Sequence, residues 1–399
     1  MLTKPKLMTK DTLNISKRRR TTSILALNAV STLTHISQYG LGTMLIPIAL
    51  EAKHASPEII GFTSAILWFG MLTGLLVAGK LIHLLSYRNT VLLSMAISIA
   101  SFVAIPFIDW HFWFLPAAIL GCGIGLRWIA NETWLYRLSP SSAQGRIVGI
   151  HEALIGLATI IGPLIIVALS ASSARIFWVA AAIISAALVP LFMAQTIPTI
   201  HDNLPKTTQP VLKTTFNKNI LYWLSFGGLI AGLGGWIENG LLSFLPVYAS
   251  DIGLHGNSIG WLFTLLGIGA FVCQFPIGWL ADIKGVMWAA AMCVVVTFFT
   301  ILFAIFFGKD FLSLAIAMFI LGATLSGLLT LGIIWATQHS TGSALTGQMR
   351  QLSLTYTALS AISPFVAGFI ISHTSSASLF WQPLAVIFVL AMVLIKHKD

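Results

Sequence analysis

Charge is what this chain has least of. Lys, Arg, Asp and Glu make up 9% of its 399 residues, against about 25% in a typical soluble domain. So few charged groups cannot hydrate a globular surface, and AVILMFWYC at 57% points to lipid as the surrounding medium. The chain is therefore read as one integral membrane unit, not as a string of soluble domains. Cysteine is scarce too. Cys122, Cys273 and Cys293 stand singly in apolar segments, without CxxC spacing or a neighbouring His, and are expected to be packing residues. No metal and no cofactor are expected. A GxxxxGK[ST] phosphate loop is missing, which argues against an ATP-driven pump. His111 and Asp109 flank Trp110, but no Ser or Cys nucleophile is placed with them, so an enzyme is not expected.

What charge there is, is unevenly placed. The formal net charge is +10, and seven of the 22 Lys and Arg residues precede Thr21. Beside a first apolar stretch at 24–50, such a run is an orientation signal, not a nucleic-acid-binding arm. That stretch is also too long for a signal-peptide core and lacks a small-residue cleavage site.

A membrane-spanning helix needs about 20 mainly apolar residues. That rule predicts twelve, near 24–50, 60–80, 90–108, 112–135, 147–170, 175–196, 220–249, 258–281, 286–307, 311–336, 347–373 and 378–396. The expected organisation is a basic cytoplasmic N-terminus (1–23), a six-helix bundle (24–196), a polar cytoplasmic linker (197–219) and a second six-helix bundle (220–396). Placing the N-terminus inside puts 18 Lys and Arg in cytoplasmic segments and three (Lys53, Arg175, Lys309) outside, with Arg127 left within a span. That bias fits the positive-inside rule and puts both termini in the cytoplasm.

The two bundles repeat one another. A shift of 199 residues lays Pro47 on Pro246, Gly61 on Gly260 and Gly79 on Gly278. Gly162-Pro163 meets Ser363-Pro364 at a shift of 201. Parallel repeats of this kind occur in transporters that hold their substrate between the halves. Solute movement is thus the leading expectation, with a non-transporting receptor or assembly factor as the alternative of another class.

Three motifs carry a resemblance. Gly278-Trp279-Leu280-Ala281-Asp282-Ile283-Lys284-Gly285 is similar to the cytoplasmic loop signature of the major facilitator superfamily. In it, Gly278 would let two helices approach, and Asp282 would accept from N–H groups at a helix start. The first-half loop keeps Gly79 and Arg88 but has His83 where an Asp would fall. Ala158-x-x-x-Gly162-Pro163 resembles the motif of the superfamily's exporters, without the trailing Gly pair. Trp128-Ile129-Ala130-Asn131-Glu132 resembles the YcaD-like bacterial branch. The resemblance implies an all-α integral membrane protein of twelve transmembrane helices, arranged as two parallel six-helix repeats. It further implies a monomeric secondary transporter of the bacterial inner membrane, working by alternating access on a small-molecule substrate, with protons as coupling ion. Export of drug-like, neutral or cationic compounds is favoured. Uptake of a sugar, siderophore or other metabolite is the alternative.

Polar groups inside the spans name the candidate site, since an ionisable group in mid-membrane costs at least about 2.5–3.5 kcal/mol. Asn28, Thr32, His35 and Tyr39 form one stripe on the first span, bordered by Gln38, and line either a cavity or a helix–helix contact. Glu238, beside Trp236 and Asn239 in a glycine-rich seventh span, is the first candidate for proton coupling. The repeat sets it opposite Tyr39, and the alternative is a Glu permanently bonded to a neighbouring helix. Gln351, Thr355 and Tyr356 extend the lining. Arg127, Asn131 and Glu132 on the fourth span and His151 and Glu152 on the fifth form a charge network. There an ion pair of Arg127 with one carboxylate is expected. It would leave the other carboxyl to titrate with His151 as relay, or else brace the two helices statically.

Overall fold

The computed structural model describes residues 16–140, 143–169, 174–196, 226–339 and 342–396. Helices joined by short turns make them up, with no strand among the described residues, as a lipid environment requires of segments that must satisfy their backbone internally. The expected 197–219 linker and residues 1–15 of the basic N-terminus lie outside the described residues.

Helix α1 runs over 17–51 in three parts: Lys17–Thr34, a π-helical His35–Leu41, and Gly42–Glu51. A helix of 48 residues follows, Pro57–Ala104. Straight, it would be about 72 Å long, more than twice a bilayer core of about 30 Å. It is instead broken at Ser86 (φ 78°, ψ 165°) into α2 (57–85) and α3 (87–104). Both arms pack on the same stretch of α4 (Phe114–Leu138), because Gly121 abuts Leu67 of α2 and Gly123 abuts Ser98 of α3. The first half ends with α5 (Gln144–Leu169) and α6, the latter formed by Arg175–Ala186 and Leu188–Met193. The second half comprises α7 (Phe226–Asp251), α8 (Asn257–Lys284), α9 (Val286–Phe307), α10 (Phe311–His339), α11 (Gly342–His373) and α12 (Ser378–Lys396). Ten of these described helical stretches are long and apolar enough to cross a membrane. The break at Ser86 divides one of them in two, and α1 with its π segment completes twelve crossings.

The repeat extends into the packing. In the first half, a Cβ on Gly70 would lie 2.1 Å from the Ala118 carbonyl, and one on Gly121 1.9 Å from that of Leu67. In the second half, Gly269 meets Phe319 and Gly322 meets Leu266, each at 1.9 Å. These are the same places displaced by 199 or 201 residues. Glycine is needed there because α2 on α4, and α8 on α10, approach backbone to backbone, the usual route to association where lipid removes the hydrophobic drive.

The two halves meet closely at the end opposite residues 16 and 396. A Cβ on Gly61 of α2 would stand 2.4 Å from the Pro364 carbonyl of α11, and one on Gly368 2.6 Å from that of Pro57. The Glu58 carboxylate faces Ser372 across the same seam. On the other side of the molecule, α5 and α8 touch from Gly156 on Phe271 to Gly260 on Val167.

The loop motif behaves otherwise than expected. Nothing lies within 4 Å of a Cβ built on Gly278, Gly79 or Gly149, and Asp282, Lys284 and Gly285 are exposed. Gly278 therefore does not bring two helices together here, because no neighbouring helix approaches it. Arg88 instead donates to the Ala194 carbonyl at the end of α6.

Candidate translocation site

Where α1, α2, α7 and α11 converge, a chain of aromatic rings leads to a carboxylate. The π-helical turn of α1 stacks His35 on Tyr39, with centroids 4.8 Å apart and planes 18° from parallel. A π-helical turn inside an α-helix is found frequently at functional sites. Tyr39 meets the edge of Trp68 at 6.1 Å, and Trp68 meets Tyr356 at 6.1 Å. The Tyr356 hydroxyl donates to Glu238 Oε2 over 3.3 Å, and Tyr39 faces both. Glu238 and Tyr39, paired by the repeat, are thus brought together. Glu238, His35 and Tyr39 are half-buried, and His35 Nδ1 is buried without a partner.

Towards the closed end lies a cavity of about 10 Å³ lined by Thr43, Ser64, Trp68, Asn239 and Ser243 among others, about the room one water needs. Asn239 Nδ2 donates to the Gly235 carbonyl (2.8 Å) and to Ser360 Oγ (3.0 Å), while its Oδ1 and Ser64 Oγ have no protein partner. Thr355 is half-buried with its methyl against Gly232. Gln351 and Trp236 are also half-buried, and the Trp236 carbonyl accepts from Ser363 Oγ at 2.5 Å.

The expected ion pair of Arg127 does not form. Neither Glu132 nor Glu152 comes within 4.0 Å of it among the ion pairs of the described residues. Arg127, 2% exposed, donates from Nε to Gln38 Oε1 (2.8 Å) and from a terminal nitrogen to Ser31 Oγ (3.4 Å). Gln38 Nε2 donates on to Ser98 Oγ at 2.7 Å, and Asn131 Nδ2 to Ser31 Oγ at 2.7 Å. Gln38, expected to border a cavity, is instead 0% exposed and clamps α1, α3 and α4 together. The one-residue step from Tyr39 turns it onto another side of the π-helical segment, into the first bundle.

His151 and the two carboxylates form a separate group. His151 Nε2 stands 3.9 Å from Glu132 Oε1, and its Nδ1 is 2.9 Å from Asn28 Oδ1. Asn28 is 5% exposed; its Nδ2 donates to the Ile24 carbonyl, and the Asn28 carbonyl accepts from Thr32 Oγ1. Of the expected α1 stripe, Asn28 therefore serves the contact with α5, Thr32 bonds back to its own helix, and His35 and Tyr39 face the junction of the halves. Sequence reasoning missed Trp68, Ser31, Ser98 and Ser360. Trp68 left one signal, a Trp placed mid-span, away from the interfacial belts where such rings usually anchor.

Twelve membrane crossings in two parallel repeats, with a polar junction between them, define a membrane transporter. The family model of the Major Facilitator Superfamily matches residues 27–255 and 224–398, and the chain belongs to that superfamily. It is similar to an uncharacterized MFS-type transporter of Yersinia pestis, 26% identical over 360 residues, covering 89% of this chain and 91% of that one. It is also similar to the uncharacterized MFS-type transporter YcaD of Escherichia fergusonii, 25% identical over 357 residues, 88% of this chain and 90% of that one. Among solved structures, the nucleoside transporter NupG superposes with a TM-score of 0.71 at 15% identity, over 94% of this chain and 99% of that one. The D-xylose-proton symporter superposes with a TM-score of 0.71 at 13% identity, over 93% and 97%. At those identities the likeness is one of fold. With bacterial relatives and helices of this kind, the protein is a multi-pass inner-membrane transporter.

Proposed function

We propose that the protein is a proton-coupled secondary transporter that exports a small neutral or cationic organic solute, with Glu238 as the group that carries the proton. The observation behind this reading is the position of Glu238. It is the carboxylate at the junction of α1, α7 and α11, held by Tyr356 and faced by Tyr39. A carboxyl there changes partners whenever the halves rock, so proton and solute movement become one cycle. The halves, 24–196 and 220–396, act as the rocking bodies of a monomer with both termini in the cytoplasm. Closure at the far end then corresponds to a state open inward.

The lining supports the solute class. His35, Tyr39, Trp68, Trp236 and Thr355 offer rings and hydroxyls, whereas Arg127 is enclosed in the first bundle and bonded to Gln38. That enclosed guanidinium offers a polyanion no accessible partner. Export is favoured by the Ala158-x-x-x-Gly162-Pro163 segment of α5, which seats Gly162 directly on Gly40 of α1 (2.7 Å to a Cβ).

The test is solute flux in proteoliposomes under an imposed pH gradient, across a panel of amphipathic cations and neutral compounds. Glu238→Gln is expected to abolish gradient-driven flux while keeping binding of solute and a monodisperse fold. Gradient-driven flux equal to wild type in that variant would remove Glu238 from the coupling role.

A further inference from the structure

Glu132, His151 and Glu152 place one ligand atom each within 4.8 Å of one another, at the contact of α4 and α5. Two carboxylates alone would be only an acidic cluster. The imidazole makes the difference. His151 is 0% exposed, and its Nε2 is buried without a hydrogen-bond partner, aimed at Glu132 Oε1 over 3.9 Å.

Its tautomer follows from the neighbours. Asn28 spends its Nδ2 on the Ile24 carbonyl, so the atom facing His151 Nδ1 is the acceptor Oδ1. Nδ1 must therefore carry the hydrogen, which in the neutral form of the ring leaves the lone pair on Nε2, the nitrogen turned towards the carboxylates. A lone pair and two carboxylates converging on one point are what a cation requires. A ring nitrogen fixed by a hydrogen bond on the opposite side is the usual support of a metal-ligating histidine. Tyr136 closes the site with its ring edge-on to His151 at 6.2 Å. Glu132 is 25% exposed and Glu152 is exposed, so an ion has a way in.

We infer that Glu132, His151 and Glu152 form a binding site for a divalent first-row transition-metal ion, with Asn28 as its positioning residue. One imidazole and two carboxylates suit Mn(II), Fe(II), Co(II) or Zn(II), and not the soft Cu(I) or the all-oxygen Ca(II) and Mg(II). Metal–ligand distances of about 2.1 Å put tetrahedral ligand atoms about 3.4 Å apart. The three atoms must therefore close by roughly 1.4 Å at most, within the reach of two glutamate side chains. The sequence conceals the site because its ligands come from two helices, with 18 residues between Glu132 and His151 and no motif spacing.

The probes are Co(II), followed by its visible ligand-field absorption, and Mn(II), followed by loss of the free-ion paramagnetic resonance signal. Both are titrated into purified, tag-free protein in detergent. This readout uses no gradient and no solute, so it stands or falls apart from the transport reading. One tightly bound equivalent is expected, weakened at least about tenfold by His151→Gln or Glu152→Gln and about 10–100-fold by Asn28→Leu. Glu152 is exposed, so its variant tests the site even where a change at buried His151 impairs folding. An absence of Co(II) and Mn(II) binding to the wild type overturns the inference. So does binding that Glu152→Gln and a folded His151→Gln leave unchanged.

Discussion

Ser86 and Gly285 stand 199 residues apart and share one unusual backbone conformation, φ 78° and ψ 165° for the serine against φ 90° and ψ 152° for the glycine. Each marks the sharp reversal between the second and third helix of its repeat. This region belongs to glycine, and a side chain held in it costs about 1–3 kcal/mol. The second half has the residue that the turn requires; the first half carries strain. Ser86→Gly is therefore expected to raise the thermal midpoint of the purified protein, and Gly285→Ser to lower it. Scanning fluorimetry of the two variants checks this, and a lower midpoint for Ser86→Gly would show the turn to be unstrained.

The seal between the halves depends on Gly61, where a Cβ would fall 2.4 Å from the Pro364 carbonyl and 3.1 Å from Gly368 Cα. These are backbone atoms that cannot swing away, so Gly61→Val is expected to hold α2 off α11 and favour the state open at that end. A cysteine at Thr43, which lines the small cavity below the seal, provides the measurement in a background without Cys122, Cys273 and Cys293. Membrane-impermeant thiol reagent should label it several-fold faster in Gly61→Val than in the parent. Equal labelling would mean that this contact does not gate access.

Much of this architecture was legible in the sequence, because apolar length alone fixes where a chain crosses lipid. The predicted spans 286–307 and 378–396 coincide with α9 (Val286–Phe307) and α12 (Ser378–Lys396). The convergence of Tyr39 and Glu238 was also legible, since a tandem repeat carries spatial equivalence in its register. What the sequence concealed was rotation about helix axes. Gln38 and Tyr39 are neighbours in the chain, yet one is sealed among Ser98 and Arg127 and the other faces the second half. The π-helical turn at His35–Leu41 shifts that phase further, and no period of 3.6 residues anticipates it. The Arg127–carboxylate pair failed for a related reason: five residues apart on one helix, Arg127 and Glu132 point to different sides of α4.

That enclosed guanidinium leads to a coupling prediction. Arg127 Nε and Gln38 Oε1 are 2.8 Å apart, both nearly free of solvent. Removing the acceptor leaves a buried charge poorly satisfied, at about 1.5–3 kcal/mol for a hydrogen bond to a charged group. Gln38→Leu and Arg127→Leu are each expected to lower stability. The double variant should lose less than the sum, because no charge is then left without its acceptor. Thermal midpoints of the three proteins close the cycle. Strict additivity would show that Ser31, not Gln38, carries the guanidinium.

Outside the membrane, Asp310 opens α10 as its cap: Oδ1 accepts from the Ser313 N–H at 3.0 Å. Asp109, 201 residues earlier, accepts in the same way from the His111 N–H at 3.0 Å, before α4. The Ser313 backbone and side-chain hydrogen bonds hold the Asp310 carboxyl below its ordinary 3.8, since they favour the charged form. A depressed value in the folded state means that the cap contributes fully above the unfolded value. The contribution is lost as pH falls below 3.8 through the lowered folded value. Asp310→Ala should therefore destabilise the protein at neutral pH, and its deficit relative to wild type should shrink as the pH is taken below that range. Paired thermal melts of the two proteins from neutral to acid pH measure this. A deficit independent of pH would place the effect in the side chain's packing and not in its charge.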